Sequence, residues 1–437
     1  MTNELDKILI SENQPDFAYK LGQLRGSILH GATFDPNEDE FRNVSKIIWE
    51  VTKHGDDALR KFTKDYDRVD IQPDQFQIPK EELEKAHGAI DKQLLKSLRQ
   101  AIENVRKYQK EIFTGGKEHP GIKYKLIEPV GICVPGASAP LPSTVIMTAI
   151  PAQVADVKEI AVVSPPRYKG SIHPTILAVC YELGIDEVYR IGGAQAIAAL
   201  ALGTETIPKV NKIVGPGNKW VQTAKQQVSA LVGIDSIAGP SEVLIIANEK
   251  ANPSWVAADM LSQAEHNPGG AVVVTDSQEL AEKVLAELRN MVKKLARAKQ
   301  AIKCLIEFGK IAVFENMDDA IECANEFAPE HLEIQCGDQS REIADKIDNA
   351  GAIFIGDYSP VAVGDYWAGP SHTLPTGGNA MFSSALTAND FIKSTSIIEY
   401  DKKQLADSAA DIIRLAEAEG LDAHAKSVKI RHGRIKV

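Results

Sequence analysis

The chain has 437 residues, 44% hydrophobic and 25% charged, with a formal net charge of -11. Such a composition belongs to a globular protein with several domains, and the acidic balance argues against a nucleic-acid binder, which needs clustered cations against phosphates. The charge-rich stretches 293–303 and 426–434 are short and read as solvated helix or tail surface.

Five widely spaced cysteines (Cys133, Cys180, Cys304, Cys323, Cys336) without a CxxC pair fit a reducing compartment and no disulfide framework. The chain opens without a basic n-region and apolar core, and no run approaches the roughly 18 apolar residues of a membrane span. A cytoplasmic protein is expected.

Taken in order, residues 41–63 and 93–113 carry apolar side chains at helical spacing. A strand over 130–134 then ends in the turn Pro135-Gly136 and a Gly/Pro/Ser-rich loop. From there the chain alternates: strands at 159–163, 187–191 and 212–214, with helices at 173–183, 194–202 and 220–231. Strand, tight turn and helix at this spacing predict parallel βαβ units.

A second α/β series follows, with strands at 243–247, 271–275, 311–314, 331–335 and 352–355. Helices are expected between them at 278–295, 318–327 and 342–349, then at 403–419 before a basic tail. The fold class is therefore α/β: two Rossmann-like sheet domains with a helical N-terminal segment and a C-terminal tail. Open parallel sheets bind ligands beyond the carboxyl ends of their strands. The turns Pro135-Gly136, Gly192-Gly193 and Gly215-Pro216-Gly217 suit a dinucleotide there, although GxGxxG is absent and the glycines equally suit tight turns.

One helix in the second series ends in Ser262-Gln263-Ala264-Glu265-His266, bounded by Asn252-Pro253 at its start and Asn267-Pro268-Gly269-Gly270 at its end. Asn252 suits an N-cap and Pro253 the first turn. Gln263 and His266 fall at i and i+3, so two polar heads can converge on one ion; the alternative is a solvated or capping pair. The spacing is not HExxH.

Other ionisable groups stand in Gly/Pro-bounded turns: Ser241-Glu242, Glu330-His331, Asp365, Ser371-His372, Glu419-Gly420 and His424. Glu330 beside His331 offers two proton carriers, or a salt-bridged start to a strand. Gln263, His266, Asp365 and His424 make a donor set acceptable to zinc, and spacing leaves open whether they meet.

These motifs together resemble histidinol dehydrogenase, over about residues 37–431. The likeness is carried by Gly192-Gly193-Ala194-Gln195, Val214-Gly215-Pro216-Gly217-Asn218, Gly239-Pro240-Ser241-Glu242, Ser262-Gln263-Ala264-Glu265-His266, Pro329-Glu330-His331-Leu332, Gly364-Asp365-Tyr366, His372-Thr373-Leu374-Pro375-Thr376 and Glu419-Gly420-Leu421 before His424.

The resemblance implies NAD-dependent oxidation of L-histidinol through the aldehyde to L-histidine, the last steps of histidine biosynthesis. It implies zinc on Gln263, His266, Asp365 and His424, with those residues and Ser241, Glu330, His331, His372 and Glu419 around the substrate. His331 would take the alcohol proton and Glu330 would activate water, with NAD at Cys133, Gln195 and Asn218.

It further implies a homodimer whose C-terminal segment, carrying Glu419 and His424, reaches the partner's site. The corresponding organisation is an N-terminal arm (1–30), a discontinuous α/β domain (31–130 and 239–378) with most site residues, an NAD-binding α/β domain (131–238) and a dimerisation segment (379–437). Cys133 stands where many relatives carry Tyr, Ser371 where Asn commonly precedes the histidine, and Trp367 is an unusual neighbour. A related dehydrogenase acting on another polar alcohol and a zinc hydrolase using Glu330 are the alternatives; Glu419 favours histidinol, because a carboxylate pairs with an ammonium.

Overall fold

The computed structural model of the chain describes residues 2–29, 39–116, 118–136, 140–265 and 269–431. They divide into two compact units, Met1–Gly115 with Leu126–Ile392, and Gly116–Lys125 with Lys393–Val437.

In the first unit a five-stranded parallel sheet has the spatial order Glu187–Tyr189, Ile160–Val163, Val130–Cys133, Lys212–Val214, Gly233–Ile234. Counted along the chain, this is the 3-2-1-4-5 order of a dinucleotide-binding sheet, reached without its glycine fingerprint. Successive side chains of a strand face opposite sides. Val130, Ile132 and Val162 accordingly enter one core, while Cys133, Ala161 and Val163 enter another. Burial on both faces explains why these strands read as continuous apolar runs.

A six-stranded parallel sheet runs Leu9–Ser11, Gly309–Val313, Gly269–Thr275, Ser241–Ala247, His331–Gln335, Ala352–Ile355. Apart from Leu9–Ser11 it repeats the 3-2-1-4-5 order, so the two α/β halves share a topology. Val243 and Ile245 pack on one face, Leu244 and Ile246 on the other. The strand Leu9–Ser11, from the part of the sequence that reads as an arm, pairs in parallel with the edge, Leu9 opposite Ile311.

The helices at 41–63 and 93–113 are present as Asp39–Phe62, kinked at Gly55, and Lys92–Ile112. The expected helix at 278–295 stops at Met291 and a 3₁₀ turn, Val292–Lys294, follows. A separate helix, Ala298–Phe308, then buries Ala301, Ile302 and Leu305 although its first half lies in the charge-rich stretch 293–303. The helix expected at 342–349 is only Ser340–Ala344.

Helix Pro253–Ala264 begins as its sequence predicts, the Asn252 side-chain oxygen accepting from the Ser254 amide at 3.0 Å. Its carboxyl end leads through His266, Asn267 and Pro268, which lie outside the described residues, to the strand Gly269–Thr275.

The second unit carries helices Lys402–Ala418 and Asp422–Arg431, the latter where the sequence reads as a basic tail. Ala409, Ile413, Ala416 and Ala425 form its small core, and Gly420 turns the chain between the helices at φ 70. The strands Ile122–Leu126 and Ile392–Ser396 pair as a ribbon, most of it in this unit. No helix among the described residues is long and apolar enough to cross a membrane.

Candidate active site

At the carboxyl ends of the five-stranded sheet, the switch point between the first and fourth strands lies between Cys133 and Gly215. Gly215 has φ 112, and a Cβ there would collide with the Cys133 carbonyl oxygen. Its amide donates to Asp235 at 2.7 Å, and the buried Lys225 ammonium, paired with Asp235, donates to its carbonyl at 3.2 Å. This buried pair holds both the amide and the carbonyl of Gly215 in the Gly-Pro-Gly turn.

Beyond the same strand ends lies a cavity of about 490 Å³ lined by Tyr66, Arg68, Arg167, Gln195, Asn218 and Trp220, among others. Gln195 and Asn218 thus meet, while the Asn218 oxygen also caps helix Lys219–Val228 through the Val221 amide at 3.2 Å. Cys133 does not line that cavity. Its thiol packs in the core, and burial pushes its pKa up to about 12. The position therefore offers a ligand backbone and no reactive side chain.

Glu330 and His331 sit at the opposite, amino ends of strands in the six-stranded sheet. Ser241, Gly269 and His331 begin neighbouring strands, with Ser241 opposite Gly269 and His331 opposite Val243. Glu330 Oε2 accepts from Ser241 Oγ at 2.5 Å and from the Glu242 amide at 3.0 Å. His331 Nδ1 lies 3.0 Å from the Glu242 backbone carbonyl, which can only accept, so the proton resides on Nδ1. Nε2 is then buried without a hydrogen-bond partner among the described residues, 3.9 Å from Asp365 Oδ1. Glu330 lies 3.5 Å from Nδ1, so the two residues that are adjacent in sequence are also adjacent in space.

A cavity of about 190 Å³ is lined by His331, Asp365 and His372, with Phe354 and Pro370. Burial lowers the pKa of His331, partly offset by Asp365, and lowers His372 to about 4, with His331 adding to the effect. Both imidazoles are therefore held neutral. Burial raises the Asp365 carboxyl, with His331 opposing.

Toward a metal, the donor chemistry fits. Gln263 is 2% exposed, with a side-chain nitrogen that has no hydrogen-bond partner among the described residues. Asp365 is a carboxyl about a quarter exposed, and an amide oxygen with a carboxylate and imidazoles suits zinc. Among the described residues no three of His, Cys, Asp and Glu cluster at metal-holding distance; Gln263 is outside that count and His266 is outside the described residues. Glu419 and His424 belong to the second unit, where both are exposed on its helix–turn–helix.

Ser371 is structural: its hydroxyl donates to the Met147 carbonyl at 2.9 Å and accepts from the Thr373 amide at 3.1 Å, tying the loop beside His372 to helix Pro142–Val154. Trp367 is about half exposed, with its carbonyl accepting from Asn104 at 2.9 Å. Glu242 is the contributor that sequence reasoning did not place in the site. It is 2% exposed, its Oε1 accepts from the Gly377 amide at 2.8 Å and the Glu330 amide at 3.2 Å, and burial followed by Glu330 raises its pKa well above the usual range. The available signal was a carboxylate opening the apolar strand Ser241–Ala247.

Residues 34–432 match a family model described as histidinol dehydrogenase. The histidinol dehydrogenase of Rhodopirellula baltica is 46% identical over 395 residues, 89% of this chain and 86% of its own. That of Bacillus subtilis is 47% identical over 407 residues, 91% of this chain and 94% of its own. A crystal structure of histidinol dehydrogenase from Elizabethkingia anophelis superposes with a TM-score of 0.88 at 34% identity, covering 97% of both chains.

Proposed function

The chain belongs to the histidinol dehydrogenase family, and from that premise we propose that it oxidises L-histidinol through a retained aldehyde to L-histidine, using NAD and zinc. When bound, NAD accepts a hydride in each oxidation and zinc anchors the substrate. The ligands would be Gln263, His266, Asp365 and His424.

The observation that carries this reading is the Glu330–His331 pair. Fixed as the Nδ1–H tautomer, His331 presents a basic Nε2 to the cavity shared with Asp365 and His372. In the first oxidation it takes the hydroxyl proton as hydride leaves the carbinol carbon. Glu330, held by Ser241 and the Glu242 amide, then takes a proton from the water that adds to the aldehyde. The hydrate then gives the acid by losing a hydride and a hydroxyl proton, for which NAD, when bound, would be the hydride acceptor and His331, once its first proton has passed to solvent, the base. Keeping the aldehyde bound excludes side reactions with solvent.

Gln195 and Asn218 would face the dinucleotide, with position 133 contributing backbone. In this reading the protein is a homodimer, and the exposed Glu419 and His424 complete the partner's site, Glu419 pairing with the substrate ammonium. Their exposure on a unit with so small a core supports it.

The experiment is to count NADH formed per L-histidinol consumed, on zinc-loaded and chelator-treated protein. Two equivalents are expected, lost on chelation and restored by zinc. A folded, zinc-loaded protein that yields no NADH from histidinol would overturn the assignment. NADH from another polar alcohol would then point to a related dehydrogenase, and none from any alcohol to hydrolysis with Glu330 as the base.

A further inference from the structure

The elements that deliver Gln263, His331 and Asp365 meet at buried polar groups that this chemistry does not use. Asp259 lies on helix Pro253–Ala264 one turn before Gln263, on the same face. Glu333 lies two residues beyond His331, on the same side of strand His331–Gln335. Helix Val361–Tyr366, which carries Asp365, starts at a residue whose amide donates to Glu333 Oε1 at 2.9 Å.

The Gln335 side-chain amide donates to Asp259 Oδ2 at 2.8 Å and to Glu333 Oε2 at 3.0 Å. One Gln335 nitrogen thus holds the Asp259 and Glu333 carboxyls side by side, and burial with Asp259 beside it raises the Glu333 carboxyl to about 8. Glu333 and Gln335 are 1% and 3% exposed, so this connection is shielded from solvent. Two bare carboxylates at this site would repel in a poorly solvated interior, whereas one shared proton turns the contact into a bond.

We propose that Asp259 and Glu333, bridged by Gln335, are positioning residues: they lock the helix, strand and short helix carrying Gln263, His331 and Asp365 into one arrangement and thereby set the zinc affinity of the site. The inference rests on reading Gln263 and Asp365 as zinc ligands.

The test is zinc binding to the full chain, by competition with a chromophoric chelator, alongside thermal unfolding. Wild type must bind zinc; if it does not, the ligand reading itself fails. Glu333→Gln keeps an acceptor for Val361 and offers Asp259 a donor while giving up the bond accepted from Gln335, and should hold zinc within about threefold of wild type. Glu333→Leu removes the acceptors for Val361 and Gln335 together with the polar contact to Asp259, and should weaken zinc by about 10- to 100-fold, the range seen when groups supporting metal ligands are lost. Asp259→Asn and Asp259→Leu repeat the comparison from the helix side, so that one variant failing to fold does not decide the matter. A folded leucine variant with wild-type zinc affinity, or equal losses in amide and leucine variants, overturns the proposal.

Discussion

His331 Nδ1 and the Glu242 backbone carbonyl lie 3.0 Å apart, and that hydrogen bond selects the tautomer whose free Nε2 faces Asp365. The main chain of one strand thus sets the proton position on the first residue of its neighbour. His331→Asn should retain the fold and lower kcat for histidinol by about 10²- to 10⁴-fold, the usual contribution of a general base. Steady-state kinetics with circular dichroism would check this; near-normal kcat would remove His331 from the base role.

Burial, with Glu330 adding to the effect, pushes the Glu242 carboxyl well above the usual carboxylate range, and the Gly377 and Glu330 amides oppose this. Glu242→Gln keeps an acceptor for the Gly377 and Glu330 amides and should change unfolding free energy by about 1 kcal/mol or less. Glu242→Leu leaves two buried amides unpaired and should cost about 2–5 kcal/mol. Urea unfolding of the two variants gives the comparison, and equal stabilities would show that those amides find other partners.

Gly215 sits at φ 112 with its α-carbon facing the Cys133 carbonyl. Gly215→Ala should destabilise the fold by about 2 kcal/mol or more and weaken NAD binding, because the turn must shift to admit a Cβ. Calorimetric NAD titration and urea unfolding test the two effects, and an unperturbed alanine variant would show that the turn yields freely.

For Glu333, burial and then Asp259 push the pKa up to about 8. The folded chain keeps a proton that the unfolded chain gives up above a carboxyl's usual value of ~4.3. The stabilisation is therefore complete below about pH 4 and is lost as pH rises through about 8. Relative to Glu333→Gln, wild-type unfolding free energy should fall between about pH 5 and 8 and then level off. Parallel stability curves for the two proteins would contradict this.

The glycine turns and strand–helix alternation point to the sheet that holds Gln195 and Asn218, but a rule tied to carboxyl strand ends points away from Glu330 and His331. Ser241 and His331 open their strands, and the cavity containing His331 lies beside that amino edge. Glu242 was hidden for a related reason: its sequence neighbours show a polar residue at a strand start, whereas its importance comes from Gly377 and Glu330, far away along the chain.

By itself the sequence determined what acts over a few residues. Asn252 and Pro253 set the start of the helix ending in Gln263, apolar runs between turns made parallel α/β units, and covalent adjacency kept Glu330 beside His331. Only the tertiary structure decided the shared strand order, the edge place of Leu9–Ser11, the burial of Cys133 and the junction of Asp259 with Glu333. Caps and periodicities are local energies. Strand order and buried polar pairs depend on how whole faces exclude water, a balance among residues far apart along the chain.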